Sequence, residues 1–258
     1  MDFSISHKLS RVAQGAARII LDAKRDMQVE TKEGHCNFVT EYDVKVQDYI
    51  KSHIADYFPD AKFIGEEDES WSDLPMGDCF IVDPIDGTCN FMYDYKTSAI
   101  SIAMLRDRQV VAGVICQPYL NEYFTAELGK GAKLNGGFIN ASNQPFEKAL
   151  VLFGTSPYCP ELADRTLSIA KECLISCNDL RRSGSAACDT AWIASGRADL
   201  FYELQLSPWD FAAGSLICQE AGAKVVQIDG SPLDFSKKCS VVAGNPEAVD
   251  QFVRRFND

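Results

Sequence analysis

The sequence lacks the features that would place it in a membrane or on a nucleic acid. Its longest apolar runs, such as residues 110–116, are far shorter than the roughly 20 residues that span a bilayer. It has no basic run, and its net charge of −12 disfavours nucleic acid and anionic membranes as partners. The first residues carry neither the basic nor the long apolar segment of a signal peptide, so we expect a cytoplasmic protein.

Residues typical of zinc or disulfide sites are also few or unfavourably spaced. The three histidines are scattered, which argues against a histidine-rich metal site. The ten cysteines contain no C-x-x-C pair and several lie inside apolar runs, so we interpret them as reduced thiols. A small phosphorylated substrate remains compatible with an acidic chain, because bound metal ions reverse the local field.

The sequence does contain a central acidic motif at residues 81–91. An apolar run at residues 79–82 predicts a buried strand that leads to Asp83. Pro84 has no amide N–H, so we expect the regular strand to end there.

The turn after this strand can bring two aspartates together. Gly87 permits a sharp bend, and Asp83 and Asp86 can then face one point with the carbonyl of Ile85 between them. These hard oxygen ligands suit Mg²⁺. The alternative is an ordinary turn, because aspartate, proline and glycine are common turn formers.

Two further acidic segments accompany this motif. Glu66 and Glu67 follow a short apolar piece, and Asp210 lies far downstream before small residues. Gly-Glu-Glu at residues 65–67, Asp-Pro-Ile-Asp-Gly-Thr-x-Asn-Phe at 83–91 and Trp-Asp-x-Ala-Ala-Gly at 209–214 resemble, in that order, the motifs of the inositol monophosphatase family. Three motifs in order are far more specific than one, and the resemblance spans nearly the whole chain.

The resemblance implies Mg²⁺-dependent, lithium-sensitive phosphomonoesterase activity with two or three Mg²⁺ ions. It also implies an α/β fold of layered αβαβα sugar-phosphatase type, and a homodimer. The implied metal ligands are Glu66, Asp83, the Ile85 carbonyl, Asp86 and Asp210. Buried carboxylates are costly without cations, which favours this interpretation over a simple turn.

The resemblance also implies a catalytic group formed by Thr88, Asp43 and Glu66. The hydroxyl of Thr88, next to Asp43, would orient the attacking water and, with Glu66, help to deprotonate it. Asp43 has an alternative role in a capping box with Thr40, and Thr88 has one as a helix N-cap. A helix that begins after Gly87 would offer free N–H groups to phosphate oxygens.

Substrate selection is expected in the second half of the chain. Glu203 lies seven residues before Asp210, the spacing of a hydroxyl-binding glutamate in inositol-selective members, although a charged strand end is the alternative. The predicted substrate-binding residues are Asp86, Gly87, Thr88, Gly184, Ser185, Ala186, Glu203 and Asp210.

Three positions carry weaker expectations. Glu67 is expected to orient a metal ligand through a hydrogen bond, or to be a solvated turn residue. Lys32 matches by its spacing a lysine near the metal site of the family, or is an ordinary surface lysine. Cys89 stands where the family usually has a second threonine, and we expect activity to survive because Thr88 is intact.

The order of predicted elements changes near residue 146. Before it we predict helices at residues 2–27 and 40–58, then a hairpin and an antiparallel meander. After it strands and helices alternate, which predicts a parallel or mixed sheet. One of the later strands is predicted at residues 174–177. We therefore divide the chain into a metal-binding α+β half, residues 1–146, and an α/β half, residues 147–258, that completes the site.

The function favoured by the sequence is hydrolysis of a phosphate monoester, with myo-inositol 1-phosphate as the preferred candidate. Fructose 1,6-bisphosphate, histidinol phosphate and the 2′-phosphate of NADP are the alternative substrates. A non-catalytic, metal-binding regulatory relative is the alternative outside enzymes, although the full set of motif residues is retained.

Overall fold

The computed structural model describes residues 4–24, 26–31, 38–68 and 74–257. Lys32 lies outside the described residues. The helices are α1 (Ile5–Leu21), α2 (Glu41–Tyr57), α3 (Thr88–Met92), α4 (Ala163–Ser176), α5 (Ala186–Ala194), α6 (Pro208–Glu220) and α7 (Pro246–Phe256). The strands are β1 (Val29–Thr31), β2 (Phe38–Thr40), β3 (Lys62–Gly65), β4 (Asp78–Asp86), β5 (Ala99–Arg106), β6 (Gln109–Gln117), β7 (Glu122–Glu127), β8 (Ala132–Leu134), β9 (Gly137–Phe138), β10 (Leu150–Phe153), β11 (Asp179–Arg181), β12 (Leu200–Leu206), β13 (Lys224–Val226) and β14 (Cys239–Gly244).

Two large sheets organise these elements. The first has the order β3-β4-β5-β6-β7-β8-β9 and is antiparallel except for the parallel pair β3–β4. The second has the order β11-β10-β12-β14-β13 and is mixed, because β10 is parallel to its neighbours and β14 is antiparallel to its own. The prediction of an antiparallel half followed by a mixed half is confirmed.

Helices cover both faces of both sheets and give five layers. α1 and α2 pack on the outer face of the first sheet, α5 and α6 lie between the sheets, and α4 and α7 cover the second sheet. The sequence of α1 explains why this helix packs against the sheet. Its apolar residues recur every three or four positions and form one buried face: Leu9, Val12, Ala13, Ala16, Ala17 and Ile20. No helix in the described ranges is both long and apolar enough to span a bilayer.

The central helical layer joins the two halves of the chain. The largest apolar core lies around α5 and α6 and includes residues from both sheets. A Cβ on Gly113 of β6 would lie 3.1 Å from the carbonyl oxygen of Ala213 of α6, so only glycine permits this approach without displacement. The division near residue 146 falls between the last strand of the first sheet and the first strand of the second, and it stays a prediction.

The expected end of β4 at Pro84 is wrong. The strand continues to Asp86, and its pairing with β5 shifts register between Asp83 and Asp86. An irregularity of this kind accommodates a proline, because the residue does not have to donate to the ladder there. The chain therefore remains extended through the motif, and the bend follows at Gly87, which has φ of +87°.

The strand predicted at residues 174–177 is also wrong. α4 continues to Ser176, and the strand of this region is β11 instead. Leu174 and Ile175 are 60% and 69% exposed, whereas Cys173 is buried. A short apolar run does not distinguish a strand from a helix, and here the apolar side chains lie on the solvent side of a helix.

The start of α1 is attached to the first sheet by Glu127, and this contact gives a test of the fold. Ser6 donates its backbone N–H and its hydroxyl to Oε1 of Glu127 at 2.9 and 2.7 Å. Burial alone would raise the pKa of Glu127, but hydrogen bonds from Lys130 and Ser6 outweigh it and lower the pKa from 4.5 to about 2. The ionised carboxylate therefore stabilises the folded state.

We expect Glu127→Gln to lower the free energy of unfolding at neutral pH by about 1–3 kcal/mol. The folded pKa is below the unfolded one, so the difference from wild type should be complete above about pH 4.5 and shrink as the pH falls towards 2. Urea denaturation at several pH values measures it. Glu172→Gln, which removes an exposed ion pair with Arg255, is the control and should cost less than about 1 kcal/mol.

Candidate active site

Three carboxylates from distant parts of the chain meet between the sheets. Asp83 and Asp86 belong to β4, and Asp210 belongs to the first turn of α6. Each offers a carboxylate oxygen that lies within 4.8 Å of the other two. We call these three residues the aspartate cluster.

Local backbone geometry aims the two aspartates of β4. Asp83 accepts a hydrogen bond on Oδ1 from the backbone N–H of Ile85 at 2.9 Å. Asp86 accepts on Oδ2 from the hydroxyl of Ser185 at 2.5 Å and from the N–H of Ala187 at 2.6 Å. The site is therefore tied to the start of α5, on the far half of the chain.

Gly87 is required at the junction of the two halves. A Cβ there would lie 3.1 Å from the carbonyl oxygens of Gly184 and Thr97, and its positive φ disfavours other residues. Asn90 fastens the same junction, because its side-chain amide donates to the carbonyls of Thr97 and Ser183 at 2.6 and 2.9 Å. This close approach holds α3 against the loop before α5.

Asp210 is positioned by a capping box at the start of α6. Its Oδ2 accepts a hydrogen bond from the N–H of Ser207 at 2.7 Å, and the Ser207 side chain accepts from the third residue of the helix. Pro208 begins the helix without a lost donor. The same carboxylate thus caps α6 and belongs to the cluster.

Asp43 and Thr88 are in contact. The hydroxyl of Thr88 lies 3.2 Å from Oδ1 of Asp43 and 3.1 Å from the carbonyl oxygen of Ile85. Asp43 also accepts from the N–H and hydroxyl of Thr40 at 2.8 and 2.5 Å. Asp43 therefore takes part in the capping box of α2 and contacts Thr88 at the same time. Thr88 is not a helix N-cap, because the N-cap of α3 is Gly87.

The loop with Glu66 and Glu67 lies beside this pair. Glu66 lines the same cavity as the cluster, and the N–H of Glu67 donates to the side-chain oxygen of Gln47 at 3.0 Å. Gly65 gives the space for this contact, because a Cβ there would lie 2.1 Å from the same oxygen. The charge of Glu67 lies close enough to raise the pKa of Asp43.

Burial and mutual repulsion raise the pKa values of the site. Burial is the main cause that raises the pKa of Asp83, and the negative charges of Glu66, Asp86 and Asp210 raise it further. Burial also raises the pKa of Asp210, and the negative charges of Asp86 and Glu66 add to this rise. Burial raises the pKa of Asp86 and of Asp43 to about 6, in spite of the hydrogen bonds that both accept.

Glu203 lies in β12, within the strand and not at its end. It is buried and accepts a hydrogen bond from the N–H of Ser156 at 2.8 Å. A Cβ on Gly154 would lie 1.8 Å from its Oε2, so the carboxylate fills the place that glycine leaves. Burial raises the pKa of Glu203 to about 7, partly offset by the N–H of Ser156.

Two cavities open over these groups. The first, of about 230 Å³, includes Glu66, Asp83 and Ile85. The second, of about 270 Å³, includes Gly184, Ser185, Ala186, Cys89 and Arg182. The residues that line both are Asp86, Gly87, Thr88, Tyr158, Glu203, Leu206 and Asp210. The predicted metal-ligand and substrate-binding residues are thus all brought around one bipartite cleft.

The chain matches the inositol monophosphatase family over residues 5–257. It belongs to this family. Inositol monophosphatase 3 of Solanum lycopersicum is 35% identical over 252 residues, which are 95% of this chain and 94% of the relative. Nus factor SuhB of Escherichia coli K12 is 33% identical over 259 residues, which are 98% of this chain and 97% of the relative.

Solved structures of family members share the fold. The crystal structure of the extragenic suppressor protein suhB from Bartonella henselae has a TM-score of 0.90 at 32% identity and covers 98% of both chains. SaIMPase-II with bound 2′-AMP has a TM-score of 0.81 at 25% identity, with 97% of this chain and 92% of that chain covered. The sugar-phosphatase fold is confirmed, and family membership supports a phosphomonoesterase.

The residues of this family member fit the Mg²⁺ that the family uses. The cluster offers only hard carboxylate oxygens, and their pKa values are raised by repulsion that a cation would relieve. Among the described residues, no basic side chain forms an ion pair with the cluster. The charge balance of the cleft therefore favours a divalent metal.

Sequence reasoning missed several residues of the cleft. Ser156 and Tyr158 follow β10, and Lys238 precedes β14. The small residues at 154–156 directly after a strand were an available signal, because ligands of α/β sheets bind beyond the carboxyl ends of strands. Lys238 gave no signal, since only the pairing of β14 with β12 brings it to the cleft.

We expect Mg²⁺ to raise the melting temperature, and Asp210→Asn to reduce this rise. A ligand that binds only the folded state adds about 2.7 kcal/mol at a hundredfold excess over Kd. Without metal the variant should be no less stable than wild type, because a repelling charge is lost and the amide oxygen can still accept from Ser207. Thermal melts with EDTA and with saturating Mg²⁺ measure both effects. Equal Mg²⁺ shifts in the two proteins would place Asp210 outside the metal site.

Proposed function

We propose that this protein hydrolyses a phosphate monoester with Mg²⁺, and that myo-inositol 1-phosphate is the preferred substrate. The observation that carries the proposal is the aspartate cluster beside the Thr88–Asp43 contact. The cluster offers oxygen ligands within 4.8 Å of one another, and the hydroxyl of Thr88 lies 3.2 Å from Asp43. This combination of a metal-binding site and a group that can hold a water suits phosphoryl transfer to water.

The residues that would hold the metal ions are Glu66, Asp83, the Ile85 carbonyl, Asp86 and Asp210. When bound, Mg²⁺ stabilises negative charge on the phosphate and lowers the pKa of a coordinated water. Thr88 orients the attacking water through its hydroxyl, and Asp43 holds that hydroxyl and accepts the proton together with Glu66. The raised pKa of Asp43, about 6, makes it a stronger base than an exposed aspartate.

The start of α3 is the proposed phosphate cradle. Gly87 and Thr88 begin this helix, and the first N–H groups of a helix have no partner within it. A phosphate at this end would lie beside the aspartate cluster. The backbone would then bind the substrate without adding a further charged side chain.

Glu203 is the proposed hydroxyl-binding residue. It lies at the floor of the second cavity with Gly184, Ser185 and Ala186, and its carboxylate oxygens can accept from polyol hydroxyls. The N–H of Ser185 already donates to the hydroxyl of Ser183 at 3.0 Å, so Glu203 is the group of this set proposed to bind a substrate hydroxyl, as its acceptor. These features support a neutral polyol as the leaving group. Fructose 1,6-bisphosphate, histidinol phosphate and the 2′-phosphate of NADP are the competing substrates in a panel that measures released phosphate.

The remaining expectations concern assembly, location and accessory residues. Lithium sensitivity, a homodimer and a cytoplasmic location follow from the family resemblance or the sequence alone. Glu67 is proposed to orient a metal ligand through a hydrogen bond. A lithium titration of activity tests the lithium sensitivity, and sedimentation tests the homodimer.

A regulatory role without catalysis is the second candidate. The observation that favours it is the relative named Nus factor SuhB, which matches 98% of this chain. The complete cluster and the Thr88–Asp43 contact favour hydrolysis. Loss of Mg²⁺-dependent phosphate release across the whole panel would leave the regulatory role as the better account.

Asp83→Asn should lower kcat by several powers of ten, because Asp83 is a buried member of the cluster and is proposed to hold two metal ions. Steady-state release of phosphate at saturating Mg²⁺ measures the change. Asp78→Asn on the same strand is the matched control, since Asp78 forms only an exposed ion pair with Arg106. A variant that keeps more than a tenth of the wild-type kcat, about 1.4 kcal/mol of barrier, would contradict the assignment.

Glu203→Gln should lower kcat/KM for inositol 1-phosphate about tenfold and leave p-nitrophenyl phosphate nearly unchanged, because Glu203 faces the leaving group and not the phosphate. Gly154→Ala should show the same selectivity, since its Cβ would lie 1.8 Å from Oε2 of Glu203 and displace it. Parallel kinetics on the two substrates measure both variants. An equal loss on both substrates would assign Glu203 a structural role.

A further inference from the structure

The first cavity is also lined by residues to which the proposed mechanism gives no role. This region, which we call the Lys238 branch, is lined by Cys159, Gln205, Ser207, Trp209 and Lys238. It lies in the first cavity only, whereas Gly184, Ser185 and Arg182 line the second. The residues that line both cavities include Tyr158, so the two cavities adjoin one another.

Lys238 is the basic side chain of this branch. Among the described residues that line the first cavity it is the only cation, against the carboxylates of Glu66, Glu203 and the aspartate cluster. It forms no hydrogen bond or ion pair with any described residue. Its charge is therefore available to a bound anion.

The backbone around Lys238 is well fixed. Cys239, the next residue, begins β14 and pairs with Leu206 at the end of β12. Asp234 organises the preceding loop, since its Oδ1 accepts from the N–H and hydroxyl of Ser236 at 2.9 and 2.5 Å. Lys237 forms an ion pair with Asp234 at 3.5 Å, which leaves Lys238 as the lysine of this pair that faces the cavity.

Arg182, the cation of the second cavity, is in a different electrostatic situation. Its guanidinium lies 3.3 Å from the hydroxyl of Thr155. Burial raises the pKa values of Asp189 and Glu203, and the charge of Arg182 partly offsets this rise, so two carboxyls lie close to Arg182. Lys238 shares its cavity with carboxylates but forms no ion pair with a described residue, so its ammonium is better placed than Arg182 to bind an anion once metal ions neutralise those carboxylates.

The rest of the Lys238 branch is neutral and polar. Gln205 donates from Nε2 to the thiol of Cys159 at 3.0 Å, and Ser207 contributes a hydroxyl at the start of α6. An anionic group can be hydrated or hydrogen-bonded here, and a lysine ammonium is a strongly hydrated point charge that binds phosphate without strict geometry.

We propose that Lys238 is a specificity-determining residue that binds a second anionic group on the leaving group of the substrate. This inference rests on the proposed phosphatase function and deepens it. The substrate class that would use this residue, in addition to the monophosphate of a neutral polyol, is a sugar or polyol that carries a second phosphate besides the one that is hydrolysed. Such a substrate extends into the Lys238 branch, whereas a neutral polyol extends towards Glu203.

The test compares fructose 1-phosphate with fructose 1,6-bisphosphate at saturating Mg²⁺. Lys238→Met should raise KM for the bisphosphate roughly five- to tenfold, leave kcat within about twofold and leave the monophosphate unchanged. Lys238→Arg should restore the wild-type KM. Lys237→Met is the matched control and should change neither substrate, because Lys237 is paired with Asp234 outside the cavity.

A second readout does not depend on turnover of the bisphosphate. Its Ki as a competitor of p-nitrophenyl phosphate should rise in Lys238→Met by the same factor as KM. The proposal is overturned if Lys237→Met has an equal effect, if Arg182→Gln carries the effect in place of Lys238→Met, or if Lys238→Met raises KM equally for both substrates. A wild-type protein without any phosphatase activity would reject the proposed function itself, a result distinct from all of these.

Discussion

Repulsion among buried carboxylates is the constraint on which the site depends. Asp83, Asp86 and Asp210 lie within hydrogen-bonding distance of backbone or hydroxyl donors, yet burial and their neighbours still raise their pKa values. Such an arrangement is unfavourable unless a cation binds or the carboxylates take up protons. The cost of holding these groups together is met by the large apolar core around α5 and α6, which fixes the two sheets at the distance that the cluster needs. The apolar core that stabilises the fold therefore also holds the repelling carboxylates of the site together.

The fold separates the tasks of the site between its halves. The first sheet supplies Asp83 and Asp86, and α2, which packs on it, supplies Asp43. The second half of the chain supplies Asp210 to the aspartate cluster, and it supplies Glu203 and the loop before α5 to the second cavity. Asn90 and Ser185 fasten the two sets across the junction. Selectivity can therefore change in the second half while the metal-binding motif of the first half stays intact.

Much of the fold could be predicted because periodicity and breakers carry local information. The hairpin of β5 and β6, the helix α2 and the change to alternating strands and helices all follow from such patterns. Pro84 misled the prediction of β4, because a bulge that depends on pairing with β5 cannot be recognised in one strand. The segment at 174–177 failed because its exposed leucine and isoleucine look like a strand when burial is unknown. In the site, motif residues were found by resemblance. The small residues at 154–156 after β10 were a usable local signal for Ser156, whereas Lys238 depends on sheet order and carries no local signal.

Asp43, Asp86 and Asp210 each accept a hydrogen bond from a backbone N–H at the start of a different helix: α2, α5 and α6. The positive ends of three helix dipoles therefore converge on one acidic centre. This fixed positive charge is made of backbone, so it forms when the chain folds and cannot be lost by exchange with solvent. The protein thus carries a partial counter-charge built from its own backbone, which lowers the cost of burying these carboxylates in the metal-free fold.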